Sequence, residues 1–480
     1  MSTRNLRIFV FALAFAGTAQ AADLPAKATV VPPSPPSCFS SFWDYISASV
    51  RDCPLRYGPI TVYGTLDVGA GYELWGAPLG QNADKVNYAI QKNSGNTHWL
   101  WSPNGLTTST IGLRLAQPLP NEFELIGVAE AGFNPYSLRL LNGPQSLADN
   151  NLFAPVNQTT HFDTARNGEW DNGQGYIGVS NKTYGTLTFG RTTLLSQSAT
   201  GAYDPVASVA FSQIGFSSSY VTFGASPTSR INTALTYRLT YEDFRIAAQG
   251  QIGGYDQANA AGQQYQAQIG ADFGKFSFDA IAGFAQNVLT FSTFGGATLP
   301  AGFDPDSIVK GTAFNNGGVE LLGRYEWEKF KFYLGYIYSR SVNPNETSYP
   351  FGVPTVAQGV VVPPGFVSTT TYTVPRTQNT VWTGLRYSAT KTVDLASGVY
   401  WEIQNDYLAA PDVCTGSGTM TSSSKCSGGR YSYSFLAEYK PVARFTLYAG
   451  VLVSNVYGGV ASGFQHTQNI APTVGTRFGF

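Results

Sequence analysis

From residue 60 to the end of the chain, apolar and polar residues alternate with a period of two. That is the spacing of strands with one face toward an apolar surrounding and the other toward a polar one. In the first run, Ile60, Val62, Leu66, Val68 and Ala70 share one face, and Thr61, Thr65, Asp67 and Glu73 share the other. The alternation predicts sixteen strands, at about 60–73, 107–116, 123–133, 173–181, 186–191, 230–241, 245–255, 265–273, 276–285, 318–326, 329–340, 377–389, 392–403, 430–440, 445–454 and 469–480. The connections sort by length in strict alternation. Long ones cover 74–106, 134–172, 192–229, 256–264, 286–317, 341–376, 404–429 and 455–468. Short ones include Glu242-Asp243-Phe244, Gly274-Lys275, Trp327-Glu328 and Thr390-Lys391.

The last strand, Asn469 to Phe480, stops on an aromatic residue, and such a strand needs a partner. Pairing with the first strand closes the sheet and removes its edges, the only way a sheet can cross a bilayer. Short turns at one end, long loops at the other and an even strand number predict an all-β fold, a transmembrane antiparallel β-barrel with both termini at the short-turn, periplasmic side. A soluble propeller has no reason to sort its loops in this way. The polar face carries charge. Asp67, Glu124, Glu130, Asp272, Asp279, Glu320, Asp394, Glu402 and Glu438 face inward by parity, as do Arg114, Arg230, Arg238, Arg245, Arg324, Lys331, Arg386 and Arg477. On the sixth strand, Arg230, Asn232, Thr236 and Arg238 alternate with Ile231, Leu235, Tyr237 and Leu239. Turning Arg or Lys to lipid at mid-depth costs about 2–4 kcal/mol, so these rows predict a water-filled lumen.

Composition supports the same class: 12% charged residues, with 52 Gly, 28 Tyr and 31 Phe, suits short strands with aromatic girdles. The start of the chain reads as an export signal over residues 1–21, with Arg4 and Arg7, an apolar run from Ile8 to Ala16, and Ala19-Gln20-Ala21 as cleavage site. Its removal leaves 27 basic and 30 acidic residues, a net charge of −3 that argues against nucleic acid as a partner. The four cysteines fall into two close pairs, Cys38 with Cys53 and Cys414 with Cys426. Export to an oxidising compartment predicts two disulfides. Residues 22–58 read as a Pro/Ala-rich linker followed by a short stapled helix, because Phe39, Phe42, Trp43, Ile46 and Val50 follow helical spacing. The helix lies either on the periplasmic rim or in the barrel mouth. Residues 59–480 form the barrel.

Several stretches of the chain resemble the trimeric general porins of Gram-negative outer membranes, most closely the alphaproteobacterial branch. They are Val62-Tyr63-Gly64-Thr65-Leu66-Asp67-Val68-Gly69, then Gly178-Val179-Ser180 with Tyr184-Gly185-Thr186-Leu187-Thr188-Phe189-Gly190-Arg191, then Arg230-Ile231-Asn232-Thr233-Ala234-Leu235-Thr236-Tyr237, and the terminal Arg477-Phe478-Gly479-Phe480. Ser41-Phe42-Trp43-Asp44-Tyr45 and Trp101-Ser102-Pro103-Asn104-Gly105-Leu106 are similar to segments of the alphaproteobacterial members. The resemblance implies a homotrimer in the outer membrane, in contact with lipid including lipopolysaccharide, and recognition of the C-terminal Phe480 by the barrel-assembly machinery. It implies that the third long loop, residues 192–229, folds into the lumen and narrows it, with acidic loop residues facing wall arginines. Arg230 sits where one such arginine falls, and Arg114 near another; otherwise both are ordinary wall residues. Asp204 is the only charged residue of the loop, the rest being small, polar or aromatic (Phe211, Phe216, Tyr220, Phe223). Asp204 either faces the eyelet or caps a turn before Pro205. Arg238, Glu124, Glu130, Arg324 and Arg386 join Asp204, Arg230 and Arg114 as constriction or lumen-lining candidates. Nearly balanced inward charges predict low ion selectivity, tilted slightly to cations.

The function predicted is passive diffusion of small hydrophilic solutes and ions, without cofactor, metal or turnover. The alternative is a substrate-selective, sugar-type channel with an aromatic track on the third loop. Enzymatic chemistry finds no support, because His98, His161 and His466 have no recognisable partner pattern. A plugged transporter is disfavoured by the short stretch before the first strand.

Overall fold

In the computed structural model the described residues are 37–75, 97–101, 105–133, 135–136, 173–207, 210–214, 230–251, 263–292, 310–345, 355–357, 360–362, 367–368, 372–407, 425–461 and 466–480. The export signal, most of the linker, Cys414 and His161 lie outside them. Sixteen strands close into one antiparallel barrel: β1 (Ile60–Glu73), β2 (Thr110–Pro118), β3 (Phe123–Gly132), β4 (Gly175–Asn181), β5 (Gly185–Thr193), β6 (Arg230–Tyr241), β7 (Phe244–Gln251), β8 (Gln264–Phe273), β9 (Phe276–Ser292), β10 (Lys310–Trp327), β11 (Phe330–Val342), β12 (Arg376–Ser388), β13 (Val393–Gln404), β14 (Gly428–Val442), β15 (Phe445–Gly458) and β16 (Gln468–Gly479). β16 pairs with β1 from Gly71↔Thr473 to Thr65↔Gly479, which closes the sheet. Phe480 continues that ladder, exchanging two hydrogen bonds of 3.0 Å with Gly64. No described helix is long and apolar enough to cross a membrane.

Tight turns join the strands at one end. Glu242 and Glu328, at φ +51° each, and Gly274, at φ +60°, occupy left-handed conformations there. Such turns match the right-handed twist of the strands they connect. Side chains alternate as the period demands. Leu321 is 51% and Leu334 60% exposed on the outer face, whereas Glu320 and Ile337 on the inner face are 0% and 1% exposed.

Three expectations need correction. β9 and β10 extend to Ser292 and back to Lys310, beyond the segments read from alternation. A register shift between Ala285 and Val288 breaks the period, so alternation alone stops short. The second strand begins at Thr110 and not at 107. The preceding Leu106 and Thr107 give their amide hydrogens to the Asp67 carboxylate at 2.8 and 2.9 Å. On β6 the phase slips. Thr233 sits at φ +48°, and Gly190 pairs with Ala234 while Thr192 pairs with Ile231. The bulge turns Ile231 inward, into a buried cluster with Leu194 and Ala234, and not onto the lipid face with Leu235.

At the turn end, Cys38 and Cys53 form a disulfide that staples a short helix, α1 (Phe42–Ser47). Ser41 caps it: its Oγ accepts from Asp44 N at 3.1 Å and donates to the Asp44 carboxylate at 2.7 Å. Arg444, in the β14–β15 turn and 3% exposed, holds this segment. It donates to the carbonyls of Tyr45 at 2.7 Å and Cys53 at 2.5 Å, and its guanidinium lies 4.0 Å from the Tyr45 ring centre. Phe445 packs against Phe478 on the outer face, with ring centres 4.8 Å apart and tilted by 34°, so Arg444 and Thr446 point inward. A Cβ on the inward-facing side of Gly479 would lie 3.6 Å from Val50 Cγ2. The staple is therefore set against the inner side of the rim. Cys426 is disulfide-bonded as well.

Candidate functional site

The third long loop enters the cylinder as a helix, α2 (Leu195–Tyr203), on which Leu195, Ser196, Ala199, Thr200 and Tyr203 are buried. Small and hydroxyl side chains at helical spacing make this seam, which is why no apolar period marks it in sequence. The wall donates partners to α2 strand by strand. Gln249 on β7 accepts from Leu195 N at 3.3 Å, and Gln266 on β8 accepts from Ser196 N at 2.9 Å. Ser277 on β9 bonds the Tyr203 hydroxyl at 2.7 Å, and Glu320 on β10 accepts from Thr200 at 2.9 Å. Arg245 on β7, paired with Asp279 at 2.9 Å and with Asp272, adds a bond to the Tyr203 hydroxyl at 2.8 Å. Burial pushes the Tyr203 phenol up to about 12.

Beyond α2 the chain continues round the wall. Trp382 on β12 donates to the Tyr203 carbonyl at 3.0 Å, Ser434 on β14 donates to the Phe211 carbonyl, and the Phe211 ring packs edge-on against Tyr448 of β15. Ala210 N reaches Gly105 O at 2.9 Å, joining the loop to the end of the first long connection. Under this lining lies an apolar belt: Ala247, Ile281, Leu322, Ile337, Trp382, Tyr400, Leu436 and Tyr448, on β7 and β9–β15. The sequence reading missed it. Its signal was present, since an apolar residue recurs at inward parity on strand after strand.

Asp204 lies at the end of α2 and is 6% exposed. Its Oδ1 accepts from the Tyr400 hydroxyl at 2.6 Å and from Val206 N at 3.2 Å. It thus caps the turn through Pro205 and points into the wall. Burial raises its carboxyl above the usual range, against hydrogen bonds from Ser212, Tyr400 and the Val206 and Ala207 amides. Asp67 and Glu320, both 0% exposed, are likewise covered; their inward parity does not make them wet.

On the opposite arc of the barrel a second group gathers. Glu130 on β3 accepts from the Tyr63 hydroxyl at 2.9 Å, and the Arg114 guanidinium of β2 lies 4.8 Å from the Tyr63 ring centre. Tyr176 on β4 is within electrostatic reach of Arg114, Arg238 and Glu130. No described carboxylate lies within salt-bridge distance of Arg114 or Arg238. The remaining candidates sit apart. Arg230 pairs with Thr193 above the bulge, and Glu124 is opposite Ser180 near the turns. Arg324 touches the Ala202 carbonyl at 3.4 Å and Glu326 at 3.2 Å. Arg386 bridges Asp394, at 3.6 Å, and Glu438. No metal-holding cluster of His, Cys, Asp or Glu occurs among the described residues.

A closed barrel with an apolar outside, charged inner rows and a loop folded against its inner wall defines an integral outer-membrane channel. The family model described as Gram-negative porin matches residues 9–452, and the chain belongs to that family. No curated protein matches it in sequence. Among solved structures it is similar to the anion-selective porin from Comamonas acidovorans, at 12% identity and a TM-score of 0.55, covering 88% of this chain and 99% of that one. It is also similar to outer-membrane-expressed OmpT of Vibrio cholerae, at 12% identity and a TM-score of 0.55, covering 89% and 100%. At this identity the likeness shows the fold. The protein is a porin, a passive channel of the Gram-negative outer membrane.

Proposed function

We propose that the lumen is a general diffusion path for small hydrophilic solutes and ions, that it works without enzymatic turnover, and that the protein assembles as a homotrimer. The observation that carries the general path is the hydration of charged side chains inside the cylinder. Asp272 is 58%, Lys331 43% and Glu326 40% exposed on the inner face near the turns. Each has an ion-pair partner, Asp272 in Arg245 and Lys331 in Glu326, yet keeps much of its surface in water; pairs left this wet inside a closed wall belong to a solvated space, because a dry core would cover both partners. One Vibrio OmpT structure of the same fold, at a TM-score of 0.53, is described as a trimer form, which supports the homotrimer. Residues 1–21 act as the export signal, and lipopolysaccharide and the barrel-assembly machinery are the partners during insertion and residence.

The eyelet on this reading lies between α2 and the arc holding Arg114, Glu130 and Arg238. Its pore-side loop residues, Ser198, Gly201 and Ala202, are exposed and neutral. Of the loop aromatics on which the sugar-selective alternative rests, Phe211 is fully buried against the wall, and Phe216, Tyr220 and Phe223 lie outside the described residues. Single-channel recording of purified protein in planar bilayers tests the proposal. Three equal conductance steps, with no saturable block by sugars and no hydrolytic activity, are expected; protein that passes no current overturns it.

A further inference from the structure

The described residues of the returning limb of the third loop, 204–207 and 210–214, sit in a trench cut into the inner wall. Two buried carboxylates mark its ends, each gripping a tyrosine hydroxyl from the wall. Tyr400 donates to Asp204 at 2.6 Å. Tyr448 donates to Asp67 at 2.7 Å, and the other Asp67 oxygen takes the amides of Leu106 and Thr107. Between these ends the trench is made by inward positions without side chains. Gly384 and Gly398 face each other across β12 and β13, and Gly398 is opposite Ser434 on β14. A Cβ on Gly384 would overlap both the Pro205 ring and the Ser397 carbonyl of the wall, and one on Gly450 would lie 2.5 Å from the Phe435 carbonyl and 2.8 Å from Phe211 Cε1. Cβ atoms on Gly105 and Gly475 would overlap the Tyr448 hydroxyl. Pro205 and Phe211 thus occupy volume that any larger wall residue would fill.

We infer that this trench and its two tyrosine–aspartate clamps set the free cross-section of the pore, by fixing how far the limb stands out from the wall. The inference rests on the channel reading above. Tyr400, Tyr448, Gly384 and Gly450 are positioning residues: none needs to touch a solute, yet each decides how much lumen is left. The physical argument is steric and signed. The limb has two neighbours, wall and water. Filling the trench displaces it toward the water and narrows the path, whereas shortening the wedge or releasing a clamp does the reverse or lets the limb fluctuate. Interiors packed to crystal-like density pass on such displacements and do not absorb them.

The test compares purified wild type with Gly450→Ala, Phe211→Ala and the double variant Tyr400→Phe/Tyr448→Phe. The outward-facing Tyr433→Phe serves as control. Single-channel conductance and the exclusion limit for neutral sugars in liposome swelling are read for each, with folding checked by heat-modifiable mobility. Gly450→Ala is expected to lower both conductance and exclusion limit, and Phe211→Ala to raise both. The double tyrosine variant is expected to keep its mean conductance while open-channel noise rises. If Gly450→Ala does not assemble, the other two variants decide, since neither adds volume to the wall. Folded variants with wild-type conductance, noise and exclusion limit overturn the inference while leaving the channel reading intact. A wild type that does not conduct would instead remove the channel reading itself.

Discussion

The Asp204 carboxyl faces protein and not the lumen, and this has a consequence that pH can expose. Burial holds its carboxyl above the ordinary carboxylate range, so the folded chain keeps this proton at a pH where the unfolded chain has lost it. The sign follows from linkage: the contribution to stability is complete below the ordinary Asp value of about 3.9 and is lost as pH rises through the raised value. Asp204→Asn keeps an oxygen for Tyr400 and Val206 but cannot titrate. The difference in Tm between wild type and Asp204→Asn is therefore expected to move in favour of wild type as pH falls from neutral toward 4. Thermal loss of the folded band checks this; a difference that moves the other way would mean that the charged form is the seated one. In sequence, Asp204 was legible as the loop's only charge and as a candidate turn cap. Its burial was not, because Tyr400 is 196 residues away and nothing local announces the pair.

At the scale of elements, closure depends on two seams whose chemistry differs. Where β16 meets β1, the Phe480 ring lies over Gly64, and a Cβ there would overlap the ring. Gly64 is thus needed for its vacancy and Phe480 for its cover. Cross-strand pairs of this kind contribute about 0.2–1 kcal/mol, so Phe480→Ala is expected to cost roughly that in the folded barrel, and Gly64→Val more, because it meets backbone as well. Urea unfolding of each variant in detergent checks both. The second seam is the staple. Arg444 gives hydrogen bonds to several carbonyls of the 45–53 segment, and truncation would leave buried acceptors unpaired at about 1–3 kcal/mol. Arg444→Ala is expected to release α1 from the rim, seen as new protease cleavage between residues 37 and 58 with the barrel band unchanged. Uncut protein would show that the disulfide alone suffices. The number and order of the strands were legible, though not all their bounds, because a closed membrane sheet enforces the period of two on both faces. Two exceptions share one cause: at Thr233, and between Ala285 and Val288, an extra residue shifts the phase, and a bulge has no composition of its own; the third, the start of β2 at Thr110, follows from the Leu106 and Thr107 amides turning to Asp67. The helix inside the third loop was hidden for a different reason, since it buries small and hydroxyl residues against a partly polar wall.

For the whole molecule, the question is which charges the permeating ion meets. Counting inward residues by parity gave near balance with a slight cation tilt, but parity reports direction and not exposure. The fold takes Asp67 and Glu320 out of the count and keeps the loop's Asp204 from adding to it, because each is 6% exposed or less and is held by hydrogen bonds within the lining or from it. Arg245, Arg324 and Arg386 are tied to carboxylates and act as local pairs more than as free cations. Among the described residues, what remains around the proposed eyelet is Arg114 and Arg238 against Glu130, one net positive charge, opposite a neutral helix edge. Fixed charge in a narrow, partly desolvated passage weighs more than the same charge on a wide wall. The channel is therefore expected to favour anions modestly, and less so as salt rises from 0.1 M to 1 M, because the screening length falls from about 10 Å to about 3 Å. A reversal potential measured across a KCl gradient reads this directly. Arg114→Gln and Arg238→Gln should each move it toward cations, Glu130→Gln should move it further toward anions, and Asp204→Asn should leave it nearly in place. A large response to Asp204→Asn, with none to the arginine variants, would put the controlling charge on the loop and not on the facing wall. The eyelet's charge would then have to be sought on the pore side of the third loop.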